Sequence, residues 1–122
     1  MLQINPNEEF NFIGEITRSA FIKRNNYFIE FKVTELNRKR IRPELILLSI
    51  TKGQKLQLDG LTDGDILYVE AEGATDEERY DANAINFAFL HDYKLMHKNR
   101  NSRRDKIRDY LDNMSHGKMT IF

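Results

Sequence analysis

The sequence predicts an all-β domain of five strands, closed into a small barrel or stacked as a sandwich, followed by one short C-terminal α-helix. Three observations point that way. Apolar and polar residues alternate with period two over residues 27–35, turn-forming dipeptides punctuate short apolar runs, and a 3.6-residue apolar period appears only in the last quarter of the chain. At 122 residues, with 40% hydrophobic and 31% charged side chains, the chain is one ordinary domain that can bury a core without metal or disulfide support.

Residues 10–21 open the sheet with aromatic and branched side chains, and Gly14 within them marks a bulge or bend of the kind that lets a small barrel curl. Lys23, Arg24, Asn25 and Asn26 form a polar turn. In the second strand Tyr27, Ile29, Phe31 and Val33 point one way, and Phe28, Glu30, Lys32 and Thr34 the other. Residues 36–43 are basic, contain Pro43 and are expected to form a loop. The apolar run 45–51 is the third strand, interrupted by Lys52-Gly53. Asp59-Gly60 and Asp63-Gly64-Asp65 are turn signals. Residues 66–72 then supply a fourth strand, 73–83 an acidic loop and 84–96 a fifth strand. Beyond them Ser102 and Asp105 resemble a capping box, and Ile107, Tyr110, Leu111 and Met114 form one apolar stripe before Gly117. A helix that short is marginal alone, so its stripe is expected to dock on the barrel or on another chain. The expected division is a barrel over residues 1–98 and a helix and tail over 99–122.

Formal net charge is zero, yet two basic blocks, residues 18–58 and 93–122, flank an acidic block over 59–92. Folding either interleaves these blocks into a mixed surface or gathers a local positive face. Cysteine is absent, and His91, His97 and His116 lack metal-ligand spacing. Asp59, Asp63 and Asp65 fit turns better than a calcium loop, and no phosphate-binding glycine loop or nucleophile context occurs. The expectation is a non-enzyme with no cofactor and no metal. No apolar run reaches membrane-spanning length and residues 1–7 lack a signal pattern, so a cytoplasmic protein is expected.

The order of motifs resembles the bacterial and phage single-stranded-DNA-binding protein family. The resemblance rests on Phe12-Ile13-Gly14-Glu15-Ile16, the alternating run 29–35, Ile46-Leu47-Leu48, the element Leu61-Thr62-Asp63-Gly64-Asp65-Ile66-Leu67-Tyr68-Val69-Glu70, and the pair Arg79-Tyr80. It implies a Greek-key OB-fold barrel, sequence-tolerant binding of single-stranded DNA in replication or recombination, and a homodimer or homotetramer. Together with the compactness of the chain it points to a phage or mobile element. The chain departs from the family in having no tryptophan; the positions where base-stacking tryptophans are expected hold Asn37 and Pro43 or fall in a shortened loop near Gly73. It also lacks the long linker and acidic tip, although it ends in Ile121-Phe122 with Lys118 nearby.

Such binding needs cations for phosphates and ring faces for bases. The candidate cations are Arg18, Lys23, Arg24, Lys32, Arg38, Lys39, Arg40, Arg42, Lys52 and Lys55, of which the cluster over 38–42 repels itself without a partner. Phe28, on the polar face of its strand, is the foremost stacking candidate unless the helix stripe or another subunit covers it. Tyr80 and Tyr93 are further platforms, whereas Tyr27, Phe31, Phe87 and Phe89 are expected in the core. The rival reading is an OB-like protein-interaction module in a replication or conjugation assembly, capturing replication proteins through the helix stripe or Ile121 and Phe122.

Overall fold

The computed structural model describes residues 2–99 and shows a closed barrel of five strands. The strands are β1 (Glu9–Lys23), β2 (Asn26–Leu36), β3 (Lys39–Ile50), β4 (Ile66–Gly73) and β5 (Phe87–His97). They close in the order β1-β2-β3-β5-β4, with β3 and β5 parallel and every other pairing antiparallel. Helices α1 (Lys52–Leu58) and α2 (Asp76–Ala82) fill the β3–β4 and β4–β5 connections. The helix expected over residues 102–114, and Ile121 and Phe122, lie outside the described residues.

Alternation does the folding work. Phe12, Ile16, Ile29, Phe31, Val33, Ile46, Leu48, Leu67 and Val69 are all buried inside the barrel. Each fully buried side chain of this kind contributes about 1.5–3 kcal/mol of burial free energy. At Gly14 the β1–β2 register slips, a bulge that helps the sheet curl. A Cβ there would stand 3.0 Å from the Phe12 ring and 3.1 Å from the Lys32 carbonyl oxygen, so a side chain would crowd the core.

Three expectations change. The basic stretch 36–43 is not a loop: only Asn37 and Arg38 form the β2–β3 turn, and β3 starts at Lys39. Pro43 is tolerated because the ladder jumps from Val33–Glu44 to Glu35–Arg40, leaving it in a bulge where no donor is needed. Lys52-Gly53 starts α1 instead of breaking the chain. Thr51 and Gln54 make a reciprocal capping box, and Leu58 is buried in the core. The acidic stretch 73–83 contains α2, capped likewise by Thr75 and Glu78 and ended by Asn83 at φ 53°.

The turn before β4 hides a buried charge. Asp65 is fully buried; its carboxylate accepts hydrogen bonds from the Thr62 amide (2.9 Å), the Asn99 amide (2.7 Å) and Lys98 Nζ (2.9 Å). Burial pushes this carboxyl up, but Lys98 and the two amides outweigh it and hold it below the ordinary Asp range. Backbone bonds from Ile16 to Asp65 and from Gly64 to Ile16 tie the same turn to β1. Gly64 sits at φ 91°, and a Cβ on it would meet the Asn99 side chain at 2.1 Å. No described helix is long and apolar enough to cross a membrane.

Candidate nucleic-acid interface

The solvent face of the barrel carries an aromatic row made by register. Phe21 lies opposite Phe28, Phe28 opposite Ser49, and Ser49 opposite Phe89, so one row crosses β1, β2, β3 and β5. Phe28 is half-buried, its ring 5.7 Å from Phe21 and 6.2 Å from Phe87, and Phe87 is 5.6 Å from Phe89. Phe31 is in the core and Tyr27 packs against it; Phe87 is buried as expected, whereas Phe89, expected in the core too, is half-buried in this outer row. Parity explains the exception: Ala88 and Leu90 take the inward positions of β5.

Phe28 is the ridge between two neighbouring grooves. One, of about 670 Å³, lies between Phe21, Phe28 and Leu47 on one side and Ala84 and Ile85 on the other. The second, of about 310 Å³, lies over Phe28, Ser49, Phe87 and Phe89 beside α2. Lys23 lines both, Arg18 the first and Arg24 the second. Arg24 occupies a strained position. Arg24 and Asn25 form the β1–β2 turn at φ 52° and 65°, a pairing of positive values that usually recruits glycine. Asn37 and Arg38 do the same at the β2–β3 turn, with φ 48° and 68°. Each hairpin therefore carries an arginine where local geometry prefers glycine.

Carboxylates stand beside these cations. Glu30 and Glu44 line the first groove, and Glu78 and Asp81 the second. The Leu2 amide, donating to Glu44, holds that carboxyl below its ordinary range and outweighs desolvation. Among the described residues the groove is thus close to charge-balanced, and its distinguishing chemistry is its ring faces.

The remaining candidates are dispersed. Lys32 is ion-paired with Glu15 at 3.2 Å, and Lys55 with Asp59 at 3.3 Å. Lys52 is exposed at the start of α1 and lines neither groove. Tyr93 is half-buried and packs against the core outside both grooves. Tyr80 is 85% exposed on α2, in a shallow depression with Ile85. Arg38, Lys39, Arg40 and Arg42 sit at the far end of the β2–β3 ribbon, where Arg40 shares a pocket with Thr34. At about 3.3 Å per strand residue that end is roughly 20 Å or more from Phe28. The cations flanking the first hairpin therefore form two groups, not one groove.

The chain matches no family model and no curated protein. Among solved structures it is similar to crystal structures of the mitochondrial single-stranded DNA-binding protein Rim1 from S. cerevisiae. One has a TM-score of 0.54 at 14% identity, covering 75% of this chain and 98% of that one. Two others have TM-scores of 0.52 at 11% identity and 0.51 at 13%, each covering 78% of this chain and 100% of theirs. The barrel is an OB fold. In OB folds the face of strands 2 and 3, with the loops after strands 1 and 4, is the usual oligonucleotide-binding surface. Here those parts are the β2–β3 face, the Arg24-Asn25 turn and the segment carrying α2, the same parts that build the two grooves. The sequence reading does not mark Phe21 or Ile85, and it assigns Phe89 to the core. The signal that was available for Phe89 is the period-two pattern of β5.

Proposed function

We propose that this OB barrel binds single-stranded DNA without catalysis and without reading sequence, laying bases on Phe28 and Phe89 and phosphates on Lys23 and Arg24. One observation carries the reading: an aromatic row open to solvent on the β2–β3 face of an OB barrel whose solved neighbours are single-stranded DNA-binding proteins. Every base has a π-face, so stacking is indifferent to sequence and is worth about 1–3 kcal/mol per base. The near-neutral groove assigns most of the affinity to stacking and a smaller part to counterion release. Longer strands run on along the β2–β3 ribbon toward Arg40 and Arg42. In this reading the protein serves replication or recombination in the cytoplasm of a phage- or mobile-element-bearing cell. It assembles as a homodimer or homotetramer, which sedimentation velocity distinguishes from a monomer.

Fluorescence anisotropy with dT oligonucleotides over a salt series tests this directly. With two phosphate contacts the slope of log K against log salt should be about −1.4, at roughly −0.7 per phosphate on single strands. Absence of binding at low salt, or a slope of zero, refutes the reading. A second reading, a protein-interaction module in a replication or conjugation assembly, draws support from Tyr80 and Ile85, which are 85% and 84% exposed. Charge reversal of Lys23 and Arg24 separates the two, since it weakens oligonucleotide binding and spares capture of a protein partner.

A further inference from the structure

Arg18 and Phe21 share one face of β1 only because the strand is irregular. In a regular strand, residues three apart point to opposite faces. Here the β1–β2 register slips between Ile16 and Arg18 and again between Arg18 and Phe21. The first slip places Arg18 opposite Glu30, and the second places Phe21 opposite Phe28, so both join the solvent-facing side of the sheet while Ile16 and Ala20 stay against the core. A pair of bulges that re-aims two side chains onto one surface is the kind of feature that serves a site.

The result is a stack. The Arg18 guanidinium carbon lies over the Phe21 ring, 3.6 Å from its centroid, while the arginine itself is exposed and lines the larger groove. One face of Phe21 is therefore already occupied. Arg18 and Phe21 both line the larger groove, so a ligand there has the guanidinium group within reach. Planar guanidinium groups stack on bases as aromatic rings do, and an ammonium does not.

Building on the binding function proposed above, we propose that Arg18, braced flat on Phe21, is a base-stacking platform of the groove and not a phosphate contact. A nucleobase lies on the exposed face of the guanidinium, extending the surface offered by Phe28 by one position. Phe21 then acts as a positioning residue, holding the plane in place.

The test compares wild-type protein with Arg18→Lys and Arg18→Ala on a dT oligonucleotide and on an abasic deoxyribose-phosphate strand of equal length, each over a salt series. Loss of one stacked base is expected to weaken dT binding about tenfold in both variants, within the range for a single stacking platform. The salt slope stays at the wild-type value, and binding to the abasic strand barely changes. Phe21→Leu should lower dT affinity in the same way while Arg18 keeps its charge. If Arg18→Lys binds like wild type, or if Arg18→Ala flattens the slope by about 0.7, Arg18 is a phosphate contact and the proposal fails. Wild-type protein that binds neither strand overturns the binding function itself. Wild-type protein that binds both strands equally overturns stacking throughout the groove. Arg18 is exposed, so unchanged melting curves for its two variants establish that binding, not folding, is being read.

Discussion

Asp65→Asn is the substitution whose effect the structure specifies most fully. It preserves the size of the side chain and removes its charge. It also turns an amide NH₂ toward a pocket whose three neighbours, Lys98 Nζ and the Thr62 and Asn99 amides, are all donors. Breaking a buried ion pair from one side costs about 3–5 kcal/mol. Lys98 keeps 18% side-chain exposure and regains part of its hydration, which places the expected loss near the lower figure, about 3 kcal/mol. For a domain of this size, at about 4 °C per kcal/mol, that corresponds to a fall in Tm of roughly 12 °C. The carboxyl is held below its unfolded value, so its stabilisation is present above the ordinary Asp range and fades as pH falls through the depressed folded pKa. The variant should therefore lose stability at neutral pH and show a flatter acid limb. Urea and thermal unfolding followed by circular dichroism between pH 2 and 8 measure both. A loss under about 1 kcal/mol at pH 7, within the spread of ordinary surface substitutions, or an acid limb identical to wild type would refute this account of the cluster.

Four further outcomes are expected of the same molecule. Gly64→Ala should destabilise by about 2–4 kcal/mol, from positive-φ strain and collision with Asn99, as read by urea midpoint. Phe28→Ala, and separately Phe89→Ala, should weaken dT binding by about 5- to 150-fold, corresponding to roughly 1–3 kcal/mol, with the salt slope unchanged in anisotropy titrations. Arg24→Gly should raise stability by about 0.5–1 kcal/mol by relieving the turn, yet lower the salt slope of binding by about 0.7. Charge reversal of Arg38, Lys39 and Arg40 should leave binding of an oligonucleotide just long enough for the groove intact and weaken a longer one, a length dependence that anisotropy with graded oligonucleotides measures.

Most of the strands were legible because, away from their bulges, they alternate. Residues 27–35 alternate, and the alternation decided which of Phe28 and Phe31 would face solvent. The two short helices escaped because each is brief and leans on its cap. Thr51 with Gln54 and Thr75 with Glu78 are both sequence-visible capping boxes, outweighed by a Lys-Gly pair in one case and a run of acids in the other. Reading 36–43 as a loop gave too much weight to Pro43 and too little to Asn37-Arg38, a two-residue turn that left the rest free to pair. At the site, the bulges around Arg18 leave no periodic trace, because a bulge is the point at which the period fails. The burial of Asp65 was equally hidden. An Asp-Gly-Asp turn looks exposed until Lys98 and Asn99, more than thirty positions later, fold back over it.

The barrel closes through a short hem. β3 and β5 meet over only three residue pairs, Leu47–Phe87, Leu48–Ala88 and Ser49–Phe89, supplemented by bonds between Asn86 and the backbone of Leu45 and Leu47. Phe28 and Phe89 lie on either side of that hem, with Ser49 between them. A strand lying across those rings would therefore span the place where the cylinder is most easily unpicked, so that cargo and container would reinforce each other: an occupied protein would resist opening at the spot where the empty one has least to hold it shut.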